Sequence, residues 1–137
     1  MTVVDLFSGA GGLSCGLELA GFKPILANEI NKVYANTYKN NHPDTIVVVE
    51  DIRNISETEF LENHGIKPGT VDLLAGGPPC QGFSVNAPIR SLDDPRNHLF
   101  KEFLRIASKL LPKAIVIENV PGIVSLGKGT VVEQIYK

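Results

Sequence analysis

Cys80 directly follows Gly76-Gly77-Pro78-Pro79 and precedes Gln81-Gly82-Phe83-Ser84. Two glycines release the backbone and two prolines then fix φ, so the turn holds the next side chain, a thiol, in one place. A Cys presented this way is a candidate nucleophile, its thiolate fraction raised by a helix N-terminus or by a cation such as Arg96. The alternative is a small residue packed in a turn. Glu118 follows four apolar residues, Ala114-Ile115-Val116-Ile117. Its carboxyl is expected to be partly buried, and burial raises a carboxyl pKa toward that of a proton donor near neutral pH. The alternative is an acid capping a helix after Pro121.

A second set of residues has binding chemistry. In Phe7-Ser8-Gly9-Ala10-Gly11-Gly12 three of six residues lack a side chain, so the backbone can approach a ligand closely. The spacing is not the Gly-x-Gly-x-x-Gly of dinucleotide sites, because Gly9, Gly11 and Gly12 compress it. Glu29 lies 20 residues beyond Gly9, where an acid at a strand end accepts hydrogen bonds from both hydroxyls of an adenosine ribose. Otherwise it is a solvated loop acid or a cap for the next helix. Asp51 stands at a further strand end and can accept from the exocyclic amine of an adenine. These positions indicate an adenosine-bearing cofactor, without separating a nicotinamide nucleotide from S-adenosylmethionine.

Other reactive residue types carry less. Cys15, between Leu13 and Leu17 in a helical stretch, reads as core filler. Asp72, at the start of a strand, reads as structural. No Cys/His or Ser/His/Asp pattern supports His98 as a base for Cys80, His42 and His64 fall in polar loops, and no spacing suits a metal.

The elements that must position these residues alternate. Thr2 to Leu6, Pro24 to Asn28, Ile46 to Val49, Val71 to Ala75 and Ala114 to Ile117 read as short strands. Leu13 to Ala20, stopped by Gly21, a helix from an Asn31 cap to about Asn40, and Glu57 to Asn63 behind a Ser56 cap read as helices. A fourth helix, Lys101 to Leu111, puts Leu99, Phe103, Ile106, Leu110 and Leu111 on one face. Strand and helix in alternation predict an α/β fold with a doubly wound, mainly parallel sheet, whose ligands bind beyond the carboxyl ends of the strands. The candidate residues stand at those ends.

Composition sets the outer bounds. With 43% hydrophobic and 20% charged residues over 137 positions, the chain has an ordinary globular composition and one domain's length. No apolar run suits a spanning helix and no basic leader precedes the first strand, so a cytoplasmic protein is expected. Two cysteines are too few for a disulfide framework. The net charge of −2 argues against holding nucleic acid by a basic surface alone, although the stretch from Cys80 to Lys109 carries +2 and the remainder −4.

Taken in order, the motifs resemble the opening half of a C5 DNA cytosine methyltransferase. Asp5-Leu6-Phe7-Ser8-Gly9-Ala10-Gly11-Gly12-Leu13 resembles that family's first motif, Asn28-Glu29 with Ile30 its ribose-binding acid, and Asp51-Ile52 its adenine contact. Gly77-Pro78-Pro79-Cys80-Gln81-Gly82-Phe83-Ser84 resembles its nucleophile motif, Glu118-Asn119-Val120 the motif that grips the target base, and Asp94-Pro95-Arg96-Asn97-His98-Leu99-Phe100 the segment that approaches DNA and cofactor. The resemblance implies a Rossmann-like methyltransferase fold that uses S-adenosylmethionine, releases S-adenosylhomocysteine and acts on a cytosine flipped from double-stranded DNA. It implies that Cys80 and Glu118 are catalytic. It assigns Phe7, Ser8, Gly9, Gly11, Gly12, Glu29, Ile30, Asp51, Ile52, Pro79 and Leu99 to the cofactor. To the DNA it assigns Pro79, Gln81, Ser84, Arg96, Asn119 and Val120.

The family continues with a Gln-x-Arg-x-Arg segment, a target-recognition region and two closing motifs, none of which follows Glu118 here. Residues 1–137 therefore read as the amino-terminal part of a catalytic domain, truncated before the closing strands, or as one half of a split enzyme inactive by itself and completed by a C-terminal half. A bacterial or archaeal protein associated with the nucleoid, in a restriction-modification setting, is the expected context. A non-catalytic S-adenosylmethionine-binding partner subunit is the competing reading. A nicotinamide-dependent oxidoreductase shares the glycine turn and Glu29 but leaves Pro-Pro-Cys-Gln without a reason.

Overall fold

The computed structural model describes residues 1–79 and 99–118. Cys80, Gln81, Ser84, Arg96 and His98, together with Asn119, Val120 and the helix expected after Pro121, lie outside the described residues. Five strands form one parallel sheet: β1 (Thr2–Leu6), β2 (Lys23–Asn28), β3 (Ile46–Val48), β4 (Leu73–Gly76) and β5 (Ala114–Ile117), in the order β3-β2-β1-β4-β5. Four helices connect them: α1 (Gly12–Leu19), α2 (Lys32–Asn41), α3 (Glu57–Glu62) and α4 (Leu99–Leu110). The strand order reverses between β1 and β4, which opens a crevice at the carboxyl ends of those two strands.

Successive residues of β1 serve opposite faces of the sheet. Val4 and Leu6 join Leu74 in a core closed by Phe60 and Leu61 of α3 and by Phe103, Ile106 and Leu110 of α4. Val3 joins Leu73 and Ala75 on the other face, beneath Leu13 and Leu17 of α1. Asp5 shares this second face and is 1% exposed. Pro24 lacks the N–H that a regular ladder needs, and the β1–β2 register slips by one residue beside it, between Val3 and Val4.

Helix ends follow their local chemistry. The Asn31 side chain accepts from the amides of Val33 and Tyr34 to start α2, and Ser56 accepts from Glu59 to start α3. Leu111 departs from its expected place: it is exposed at φ 51°, a left-handed residue past the end of α4, where Phe100 and Ala107 complete the buried face. Cys15 also departs from expectation. It is exposed, because the face of α1 turned to the sheet centres on Ser14, which reaches Asp5. Asp72 is structural, as expected: it accepts from the Thr2 amide at 2.7 Å and from Lys113 at 2.6 Å, joining the starts of β1 and β5.

Candidate functional site

The glycine turn begins with a strained residue. Phe7 adopts φ 57°, a left-handed conformation that costs a side-chain-bearing residue about 1 kcal/mol or more. Phe7 lines two cavities, which share Gly77 as a further lining residue. Gly9 at φ 55° and Gly11 at φ 96° complete the turn in backbone that disfavours a Cβ. Gly12 is the first residue of α1 and has no such requirement.

The larger cavity, about 300 Å³, lies over the ends of β1 and β2. The turn contributes Phe7 and Gly9, the end of β2 contributes Glu29 and Ile30, and the far wall is Asp51, Ile52, Pro79 and Leu99. Gly11 and Gly12 do not reach the wall of either cavity. A Cβ on Gly11 would fall 2.5 Å from Nε2 of His42, so this glycine serves packing behind the turn. The sequence reading missed Tyr34, on the first turn of α2, and Arg53, both of which also line the cavity.

Glu29 is 8% exposed, and its carboxylate ties the crevice together. One oxygen accepts from the Gly9 amide at 2.8 Å and the other from the Asn31 amide at 2.7 Å. Each carboxylate oxygen retains a second acceptor direction, which is what a pair of ribose hydroxyls needs. Asp51 ends the run after β3 and caps a 3-10 turn, Ile52–Asn54, by accepting from the Arg53 amide at 3.0 Å. The Arg53 guanidinium grips the same carboxylate and holds its pKa below the usual range. Arg105 of α4 anchors this turn from behind, donating to the Ile52 carbonyl at 2.8 Å while pairing with Glu57 and Glu102.

The second cavity, about 270 Å³, is lined by Asp5, Phe7, Ser8, Leu13, Gly77 and Glu118. Two of its polar atoms, Asp5 Oδ1 and Ser8 Oγ, are buried with no hydrogen-bond partner among the described residues. Such orphans cost folding free energy and mark positions where a ligand can supply the missing partner. Burial, offset in part by the Ser14 hydrogen bond and by His42, pushes the Asp5 carboxyl up to about 6. The buried acid of this site is therefore Asp5. Glu118 is exposed, contrary to expectation, because β5 is the outer strand of the described sheet. Its amide donates to the Gly76 carbonyl at 2.9 Å, extending the β4–β5 ladder.

The two glycines before the prolines admit close contacts. A Cβ on Gly76 would collide with the Leu6 carbonyl oxygen and come within 2.9 Å of the Phe103 ring. On Gly77 it would come within 2.9 Å of Glu118 Oε2. Gly77 thus leaves the space that the Glu118 carboxylate occupies, bringing the run that leads to Cys80 against the end of β5.

His42, expected in a polar loop, is 3% exposed at the end of α2, its ring nitrogens 3.2 Å from the Gly11 carbonyl oxygen and 3.0 Å from Glu18 Oε2. His64 contacts the Phe60 carbonyl within its own helix end. Among the described residues no group of His, Cys, Asp and Glu could hold a metal ion, and no helix is long and apolar enough to cross a membrane.

Similarity to known proteins shows the family of the chain. The family described as C-5 cytosine-specific DNA methylase matches residues 1–137. The chain is 48% identical over 122 residues to the type II methyltransferase M1.HphI of Haemophilus parahaemolyticus, covering 88% of this chain and 32% of that protein. It is 43% identical over 133 residues to M.AquIA of Picosynechococcus, covering 97% of this chain and 54% of that protein. A prophage-encoded Escherichia coli protein, assigned as a DNA modification methyltransferase, superimposes with a TM-score of 0.80 at 36% identity, over 99% of this chain and 36% of that one. The chain thus spans from about a third to about half of the relatives it matches, and it belongs to the C-5 cytosine-specific DNA methylase family.

Proposed function

We propose that residues 1–137 form the cofactor- and nucleophile-bearing part of a DNA cytosine-5 methyltransferase, using S-adenosylmethionine and acting in the cytoplasm on double-stranded DNA. The observation that carries this reading is the adjacency, around Phe7, of a carboxylate with free acceptor directions, Glu29, and two orphaned buried oxygens, Asp5 Oδ1 and Ser8 Oγ. Glu29 would hold the ribose hydroxyls, Phe7 and Ile30 the faces of the adenine, and Asp51 with Ile52 its edge. In the second cavity the α-ammonium of the amino-acid end would meet Asp5, with Ser8 beside it. The bound cofactor supplies an electrophilic methyl group.

The remaining chemistry belongs to the chain and to the base. C5 of cytosine is a weak nucleophile, and addition of the Cys80 thiolate to C6 makes it enamine-like. Glu118 bonds or protonates N3 and relieves charge as the adduct forms. Once the methyl group is on C5, loss of the C5 proton returns electrons to the ring and expels the thiolate. The cytosine must be flipped out of the duplex to reach these groups, and Pro79, Gln81, Ser84, Arg96, Asn119 and Val120 would shape its pocket and the DNA approach. Target recognition is assigned to sequence beyond these motifs.

Calorimetric titration of the purified protein with S-adenosylhomocysteine, with NAD as control, tests the reading. Binding of S-adenosylhomocysteine alone, weakened in Glu29→Ala and retained in Cys80→Ser, is expected. Preference for NAD would refute it.

A further inference from the structure

Behind the glycine turn, three side chains from three elements form a directed chain of hydrogen bonds. Ser14 Oγ of α1 donates to Asp5 Oδ2 of β1 at 2.6 Å, and Ser14 Oγ lies 2.6 Å from the Tyr38 hydroxyl of α2. The Ser14 hydroxyl has one proton, already given to Asp5, so Tyr38 is the donor of the second bond. Ser14 and Tyr38 are both 0% exposed. The relay occupies Oδ2 of the carboxylate and leaves Oδ1 without a partner among the described residues, on a residue that lines the second cavity. A buried carboxylate with a single hydrogen-bond donor has little to hold its charge, and each added donor favours the ionised form.

We propose that Ser14 and Tyr38 are positioning residues of the cofactor site: their hydroxyl relay orients Asp5 and keeps it ionised, so that its free oxygen receives the ammonium group of an amino-acid-bearing ligand. The inference rests on the assignment of that cavity to the amino-acid end of S-adenosylmethionine. The groups acting on Asp5 are Ser14 from α1, Tyr38 and His42 from α2, and Glu29 from the end of β2, with Glu118 across the cavity. Ser14 and His42 favour the carboxylate, whereas burial and Glu29 oppose it. The relay therefore sets the pH at which the site becomes competent, and its loss protonates Asp5 at a higher pH.

The test is the affinity for S-adenosylhomocysteine measured calorimetrically from pH 5 to pH 8 on the purified protein, with circular dichroism to verify folding. Wild-type affinity is expected to fall as pH drops through about 6, where Asp5 takes up its proton. Ser14→Ala removes a bond to a charged group and should move that midpoint upward by roughly one pH unit. Tyr38→Phe, a conservative change that keeps the ring, should move it in the same direction by less. Asp5→Asn should abolish the step, and Thr37→Ala, on the exposed side of α2, should leave it in place. A protein that binds the ligand but shows the same midpoint in wild type, Ser14→Ala and Tyr38→Phe would overturn the relay, as would an acid step persisting in Asp5→Asn. Absence of binding by the folded wild type at every pH would instead overturn the cofactor assignment itself.

Discussion

Replacing Asp5 with Asn should make the protein gain stability relative to wild type as pH rises from about 4 to about 8, while impairing its site. The folded-state carboxyl titrates near 6 against an ordinary value of 3.8. Well below 3.8 the group is protonated in the folded and unfolded chains alike and contributes no pH-dependent cost. As pH rises, the unfolded chain releases its proton first, and folded stability falls until Asp5 has also ionised above about 6. At about 1.4 kcal/mol for each pH unit between the two values, the full cost is roughly 3 kcal/mol, most of it incurred between pH 4 and pH 8. Asn has nearly the shape of the protonated acid and cannot ionise. Any constant offset from altered hydrogen bonding cancels when the two pH values are compared. Urea unfolding followed by circular dichroism should therefore show the variant gaining on wild type by about 2 to 3 kcal/mol between pH 4 and pH 8. A difference between variant and wild type that is the same at both pH values would refute the reasoning, since the folded chain would then not be carrying a destabilising buried charge. The same substitution should weaken S-adenosylhomocysteine binding at pH 8, the trade expected when an unsatisfied group is retained for function.

The other expectations are more direct. Glu29→Ala removes the acceptor proposed for two ribose hydroxyls and the observed brace on Gly9 and Asn31, and should weaken S-adenosylhomocysteine binding by about tenfold to a hundredfold in calorimetry. Gly76→Ala drives a methyl group into the Leu6 carbonyl and the Phe103 ring, and should destabilise the protein by about 1 to 3 kcal/mol or more in urea unfolding. Wild-type folding stability in the alanine protein would contradict the packing described between β1 and β4. With a complementary C-terminal half and S-adenosylmethionine supplied, Cys80→Ser should abolish covalent capture by duplex DNA bearing 5-fluorocytosine at the recognised site, read by gel shift, while leaving cofactor affinity unchanged. Capture surviving that substitution would assign the nucleophile elsewhere.

The sequence alone carried the architecture because the relevant signals are local. Short β-branched runs, the Asn31 and Ser56 caps and the periodicity of α4 depend on neighbours a few residues away, and their alternation leaves a parallel doubly wound sheet as the natural arrangement. The residues at the strand ends were legible for the same reason: a parallel sheet puts all its carboxyl ends on one side, so Phe7, Glu29, Asp51 and Pro79 had to gather there. Tertiary structure decided which polar groups are buried and what they meet. Glu118 followed an apolar run that suggested burial, yet β5 is the outer described strand and leaves it exposed, while Asp5, on a central strand roofed by α1, became the acid with the raised pKa. Cys15 and Ser14 are adjacent, and only the roll of α1 on the sheet turned Ser14 inward to Asp5 and Cys15 outward. Tyr38 and His42 lie more than 20 residues from Ser14 and Gly11, a separation across which no periodicity in the chain announces a contact, and it is the crossing of α2 behind the glycine turn that brings them together.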